Sequence, residues 1–147
     1  MNILITAAST AQAYQLSRFL NTGKNIFFGD SADLPKIDVE GKSFIKIPAS
    51  NSASFSHLLL AQCLDLNIKV VYPLKRFEIL ALAEARLLFD EYGVKVMVPD
   101  KLVAENLLLP NVEKGELVIK DLVGEIPDRG VFVINAETNM LKLFTAD

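Results

Sequence analysis

The sequence predicts an α/β fold: a mostly parallel sheet with helices on both faces, followed by a short antiparallel β segment. Three observations predict it. Strand-sized apolar runs alternate with amphipathic stretches of helical period over residues 1–110. The runs at 2–6 and 68–72 are apolar rather than alternating, as parallel strands covered on both faces are. Beyond residue 115 the alternation stops, and short apolar runs follow one another with only turns between them.

The elements follow in order. Residues 2–6, Asn-Ile-Leu-Ile-Thr, form a buried strand. A small polar turn, Ala7 to Thr10, leads to a helix with Ala11, Leu16, Phe19 and Leu20 on one face; Ser9 or Thr10 caps its start and Gly23 its end. Residues 25–28 are the second strand, closing on Gly29-Asp30-Ser31, and residues 31–42 are polar and broken by Pro35 and Gly41. Residues 43–47 alternate as a third strand that Pro48 ends. Ser50-Asn51-Ser52 offer caps to a helix with Phe55, Leu58, Leu59, Cys63 and Leu66 on one face. Residues 68–72 are the next strand, stopped by Pro73. A helix rich in Leu, Ala, Glu and Arg spans residues 76–92, and Gly93 ends it. A strand over 94–98 and a helix over 101–108, opened by Pro99-Asp100, complete the alternating part. Such units indicate a parallel, Rossmann-like sheet.

Residues 116–120, 130–135 and 140–144 then read as short strands. The boundary is placed at 111–115, giving an α/β domain over 1–110 and a β segment over 111–147. That segment is too short for an independent core. It must pack on the first part, pair with another chain, or belong to something longer.

Composition narrows the function. Of the 147 residues 51% are apolar, enough for a core without disulfides or metal, and the net charge is −3 with no basic stripe. Nucleic-acid binding needs such a stripe to neutralise phosphates, so that class is set aside. No run is long and apolar enough to suggest a membrane span. The single cysteine, Cys63, and single histidine, His57, cannot build a structural zinc site by themselves. With no secretion-type segment, a cytoplasmic location is expected. Cys63 lies on an apolar stripe and reads as a buried thiol. His57 has no partner spaced for a triad and reads as a surface or half-buried side chain.

Ligands in open α/β sheets bind beyond the carboxyl ends of the strands. Here that edge carries Ala8, Ser9, Thr10, Asp30, Lys75 and Arg76, the candidate substrate-binding residues. Ser9 and Thr10 read either as helix caps or as ligand contacts. Lys75 and Arg76 stand at a helix start, where cations are disfavoured unless an anion binds, and read otherwise as a solvated pair. Asp30 stands where dinucleotide-binding sheets hold a ribose hydroxyl, but the G-x-G-x-x-G glycines are missing, so a nicotinamide cofactor has little support.

Several stretches resemble one family in order and spacing. MNILITAA (1–8), FFGDS (27–31), FIKIP (44–48), VVYPL (70–74) and GVKVMVPDK (93–101) together resemble the pre-ATP-grasp domain of carbamoyl-phosphate-synthetase-like and biotin-carboxylase-like ligases. LVIK (117–120) and RGVFVINAETNMLKLF (129–144) resemble the first hairpin of the ATP-grasp domain that follows it. The resemblance implies that Lys120 and Lys101 contact ATP, with Arg129-Gly130 opening the strand beyond the phosphate loop. It implies ATP and Mg²⁺ as cofactors of the complete enzyme. The loop after Lys120 departs from the pattern: it keeps Gly124 but has Ile126 and Pro127 in place of glycines, and Asp121, Glu125 and Asp128 add negative charge. The later positions that hold magnesium have no counterpart before Asp147. The chain is therefore expected to be a truncated, N-terminal fragment or subunit of a ligase, inactive alone, whose partner is the remaining ATP-grasp domain or another chain. The alternative is a standalone, non-catalytic module that binds an anionic ligand or forms a homodimer through exposed strand edges.

Overall fold

A computed structural model describes residues 1–20, 25–33, 42–108, 115–122 and 127–147. Five parallel strands form the first sheet: β1 (Asn2–Ile5), β2 (Asn25–Asp30), β3 (Lys42–Lys46), β4 (Ile68–Tyr72) and β5 (Lys95–Val96), in the order β3-β2-β1-β4-β5. The helices are α1 (Ala11–Phe19), α2 (Phe55–Asp65), α3 (Arg76–Glu84), α4 (Arg86–Glu91) and α5 (Lys101–Leu107). A second, antiparallel sheet of β6 (Glu116–Asp121), β7 (Arg129–Ile134) and β8 (Leu141–Leu143) follows, in the order β6-β7-β8.

The continuous apolar character of β1 has a direct cause. Leu4 faces one core with Val71, Ile79 and Phe89, while Ile3 and Ile5 face the other with Leu16 and Phe28. A strand at the centre of a sheet covered on both sides has no solvent face to mark with polar residues. The second sheet joins the same two cores. Phe132 and Leu143 pack into the first, Val131 and Phe144 into the second. Of the three fates open to the C-terminal segment, it packs on the α/β part. The expected boundary at 111–115 lies outside the described residues except for Gly115, as do Gly23, Pro35, Gly41, Gly124, Glu125 and Ile126.

Some element bounds differ from expectation, each for a local reason. The helix expected over 76–92 is interrupted at Ala85, whose ψ of 8° departs from helical values; the next residue, Arg86, is held by the Val98 carbonyl and Asp128. The strand expected over 94–98 pairs only at Lys95 and Val96, because the Val98 N–H turns back to the Val96 carbonyl. The second strand instead runs on through Gly29 to Asp30. A Cβ at Gly29 would lie 2.8 Å from Ile47 Cγ2 and 3.0 Å from Leu4 Cδ1, so only glycine lets the strand pass there. The expected caps at 50–52 sit in turns ahead of α2, whose N-cap, Ser54, makes no side-chain cap bond.

Candidate functional site

Strand order reverses between β1 and β4. The chain leaves β1 for β2 on one side, and β4 leads to β5 on the other, a switch point of the kind where α/β sheets bind ligands in a crevice beyond the carboxyl ends. Two hydrogen bonds tie the rims of this crevice together. The Thr6 N–H donates to the Tyr72 carbonyl at 3.2 Å, and the Leu74 N–H donates to Thr6 Oγ1 at 2.8 Å.

The turn after β1 sorts the first three candidates. Thr10 is the helix cap: its Oγ1 accepts from the Ala13 N–H at 3.4 Å and donates to the Ala7 carbonyl at 2.7 Å. Ala8 is buried, and its N–H already donates to the Gly29 carbonyl. Ser9 reaches across to the end of β2, where its Oγ donates to Asp30 Oδ2 at 2.9 Å. Ala7, at the bend, takes a φ of +55°, a conformation uncommon for a residue with a side chain.

Asp30 is 2% exposed yet charged. Burial, the largest single influence, pushes its carboxyl upward. The Ala32 N–H, the Ser9 hydroxyl and Lys75 outweigh it and leave the group below its ordinary value. Lys75 Nζ stands 3.3 Å from Asp30 Oδ1. Ser9 and Lys75, from two connections, and Asp30, the last residue of β2, thus form one cluster at the mouth of the crevice.

Arg76 belongs to the same rim but faces the chain's last residues. Its backbone N–H donates to Asp147 Oδ1 at 2.9 Å, and its Nε donates to the Asp147 carbonyl at 3.2 Å. The Ala146 N–H donates to the Leu74 carbonyl at 2.7 Å, laying residues 144–147 along this edge.

One residue of the site was not foreseen from sequence. Glu78, in the first turn of α3, is 2% exposed. Burial pushes its carboxyl upward. The Thr6 hydroxyl and the Lys75 ammonium and backbone N–H oppose that rise, and Asp30 adds to it. Among the described residues its Oε1 has no hydrogen-bond partner. An unsatisfied buried acceptor costs roughly 1–3 kcal/mol, so Glu78 is an unfavourable residue unless something donates to it. The legible signal was its spacing, an acid three residues after the helix-capping position; its burial was not legible.

The residues expected at a nucleotide lie elsewhere, at the seam between the sheets. Lys120 in β6 stands opposite Gly130 in β7. Gly130 has a φ of +147°, and a Cβ there would lie 2.8 Å from Phe132 Cζ and 3.4 Å from Pro99 Cδ. This contact puts the rung against the turn that leads to Lys101. Lys101 Nζ pairs with Glu84, and Arg129 pairs with Asp90 at 3.1 Å. Among the described residues Lys120 makes no ion pair. Asp121 and Asp128, expected to oppose a polyphosphate, are instead neutralised by Lys95 at 2.5 Å and Arg86 at 2.7 Å.

The remaining reactive side chains stay apart from both places. Cys63 is fully buried, and burial pushes its thiol up to about 12. His57 is exposed, beside an open cavity of about 440 Å³ between α2 and α3 that Phe55, Ala81 and Leu88 also line. Among the described residues no group of three or more His, Cys, Asp or Glu could hold a metal ion, and no helix is long and apolar enough to cross a membrane.

The fold and crevice define an α/β protein with a five-stranded parallel, Rossmann-like sheet and an appended three-stranded antiparallel sheet. No protein-family model matches the chain, and a search of curated proteins found no matching relative.

Proposed function

We propose that the chain is the N-terminal part, or a subunit, of an ATP-dependent carboxylate–amine or carboxylate–thiol ligase of the ATP-grasp type, contributing to both the substrate and the nucleotide site. One observation carries this reading. A parallel β3-β2-β1-β4-β5 sheet is followed in the chain, after α5, by an antiparallel hairpin in which Gly130, opposite Lys120, lies against Pro99, just ahead of Lys101. That is the order of parts the resemblance implies. Gly130 lets the strand close on the Phe132 ring and Pro99, and Lys120 supplies a positive charge on the same rung for a phosphate held nearby. The pairing of Asp121 and Asp128 with Lys95 and Arg86 supports the reading further, since it removes two repulsive charges from the loop.

In this scheme Ala8, Ser9, Thr10, Asp30, Lys75 and Arg76 shape the substrate end. Bound Mg-ATP would supply the phosphoryl group that activates a carboxylate. No described cluster fits magnesium, so its ligands would come from another part of the enzyme, and the chain by itself is inactive as a ligase. Calorimetric titration with Mg-ATP tests the nucleotide half. Binding that Lys120→Ala weakens by about tenfold supports it; no heat at millimolar ATP with the chain joined to a complementing ATP-grasp domain removes it.

A second reading, a non-catalytic ligand-binding module, is favoured by the Ser9–Asp30–Lys75 cluster. That cluster is complete without any residue of the antiparallel sheet. Such a module could also form a homodimer through the edge strands β3, β6 or β8. Light scattering on a size-exclusion column decides that point: a 16.2 kDa species at high concentration excludes the dimer.

A further inference from the structure

The crevice between β1 and β4 holds two carboxylates, Asp30 and Glu78, each 2% exposed, and one ammonium, Lys75. The local donors are already committed. The Ser9 hydroxyl and the Lys75 ammonium bond Asp30, and the Thr6 hydroxyl accepts from the Leu74 N–H. Glu78 Oε1 is left without a partner. One positive charge and one set of donors are missing from the cluster. A primary ammonium supplies both, with its donors on a single centre.

The other half of the ligand is marked by Asp147. Its carboxylate sits on the first N–H of α3, a nine-residue helix, and the Arg76 Nε bonds its backbone carbonyl. Helix N-termini favour carboxylates at this position. Arg76 and Glu78 share the first turn of α3, so the place for a carboxylate and the place for an ammonium are adjacent. A phosphate dianion fits less well, because Asp30 and Glu78 would repel it.

We infer that this crevice is a binding site for a small zwitterion, an α-amino acid, whose ammonium is received by Glu78 Oε1 and Asp30 and whose carboxylate replaces that of Asp147 on the Arg76 N–H. Access is from the Lys75 side, where that side chain is 29% exposed. The inference rests on the reading of the crevice as the substrate end of the molecule and is independent of the nucleotide reading.

The test follows the backbone amides of Ser9, Lys75 and Arg76 by heteronuclear NMR during titration with each proteinogenic L-amino acid, and with acetate and ethylamine as half-ligands. The expected result is saturable movement of these amides by at least one amino acid at millimolar concentration, with neither half-ligand saturating. Glu78→Gln should weaken that binding at least ~10-fold, and Asp147→Ala should tighten it by removing the competing carboxylate. If Glu78→Gln does not fold, Ser9→Ala, which loosens Asp30, should weaken binding in its place. No movement with any amino acid overturns the inference. So does acetate saturating as tightly as the amino acid, which would leave an anion site only. Mg-ATP titrated into the same sample separates the two proposals: a null result there with a positive one here removes the nucleotide reading alone.

Discussion

Arg86 and Asp128, 42 residues apart in the chain, meet in a two-point contact, with Nη1 at 3.1 Å from Oδ1 and Nη2 at 2.7 Å from Oδ2. Arg86 Nη1 also donates to the Val98 carbonyl at 3.2 Å. One guanidinium thus ties the helix after Ala85, the segment that follows β5 and the residue before β7. Donating to Asp128 holds the guanidinium above its ordinary value, and accepting from Arg86 holds the Asp128 carboxyl below its own.

Removing this contact should loosen the second sheet from the first. Arg86 is 18% exposed and Asp128 32%, so solvent screens the pair in part. Asp128→Asn should destabilise the protein by about 1–2 kcal/mol, between the values for exposed and buried pairs. Asp121→Asn, which breaks the more exposed pair with Lys95, should cost no more than about 0.5 kcal/mol. Urea denaturation measures both. The Asp128 contribution should fade as pH falls. The folded carboxyl lies below its ordinary value, so its stabilisation is present above that value and is lost on acidification through the folded one.

Gly130→Ala should be more damaging. The new Cβ would meet the Phe132 ring, a fully buried core side chain, at 2.8 Å, on a backbone with φ of +147°. A loss of about 2–3 kcal/mol is expected from strain and displaced packing together. Because Phe132 belongs to the core that also contains Leu4 and Val71, unfolding should remain one cooperative transition shifted to lower denaturant. Separate transitions for the two sheets in tryptic protection or in circular dichroism would contradict a shared core.

Glu78→Gln should change how stability depends on pH. The folded Glu78 carboxyl lies above its ordinary value of 4.5. Below that value both states hold the proton. As pH rises, the unfolded chain ionises first while the native chain keeps its proton, so the wild-type protein loses stability until the folded carboxyl ionises too. Glutamine keeps the shape and removes the titration. The variant should therefore gain relative to wild type as pH rises from the ordinary carboxyl value towards the raised folded one. Thermal melts across that range check it; parallel curves for the two proteins would contradict it.

Cys63 should be inert in the folded state. Its thiol is fully buried and pushed up to about 12, so almost no thiolate exists near neutral pH. A chromogenic disulfide reagent should show no reaction in buffer and one equivalent of thiol in guanidinium chloride. Fast labelling of native protein would mean that α2 opens locally.

The alternating part of the fold was legible because its signals are local. Apolar runs at residues 2–5 and 68–72, helical spacing through Leu16 and Leu59, and the stops at Pro48, Pro73 and Gly93 depend on neighbours within a few residues. The same holds for the hairpin, where Lys120 and Gly130 occupy one rung as two adjacent strand segments require. The interruption at Ala85 and the shortness of β5 were not legible, since both follow from contacts that local propensity does not encode.

For the candidate site the division is sharper. The sequence by itself placed Ser9, Asp30, Lys75 and Arg76 on one edge, because parallel strands bring every carboxyl end to the same side of a sheet. Which of them touch was decided only by the tertiary structure. Ser9 and Lys75 converge on Asp30 from 21 and 45 residues away, Arg76 turns to Asp147, and Glu78 is buried with its Oε1 unmatched. A carboxylate's solvation and its partners are properties of the folded surroundings, and no spacing in the chain carries them.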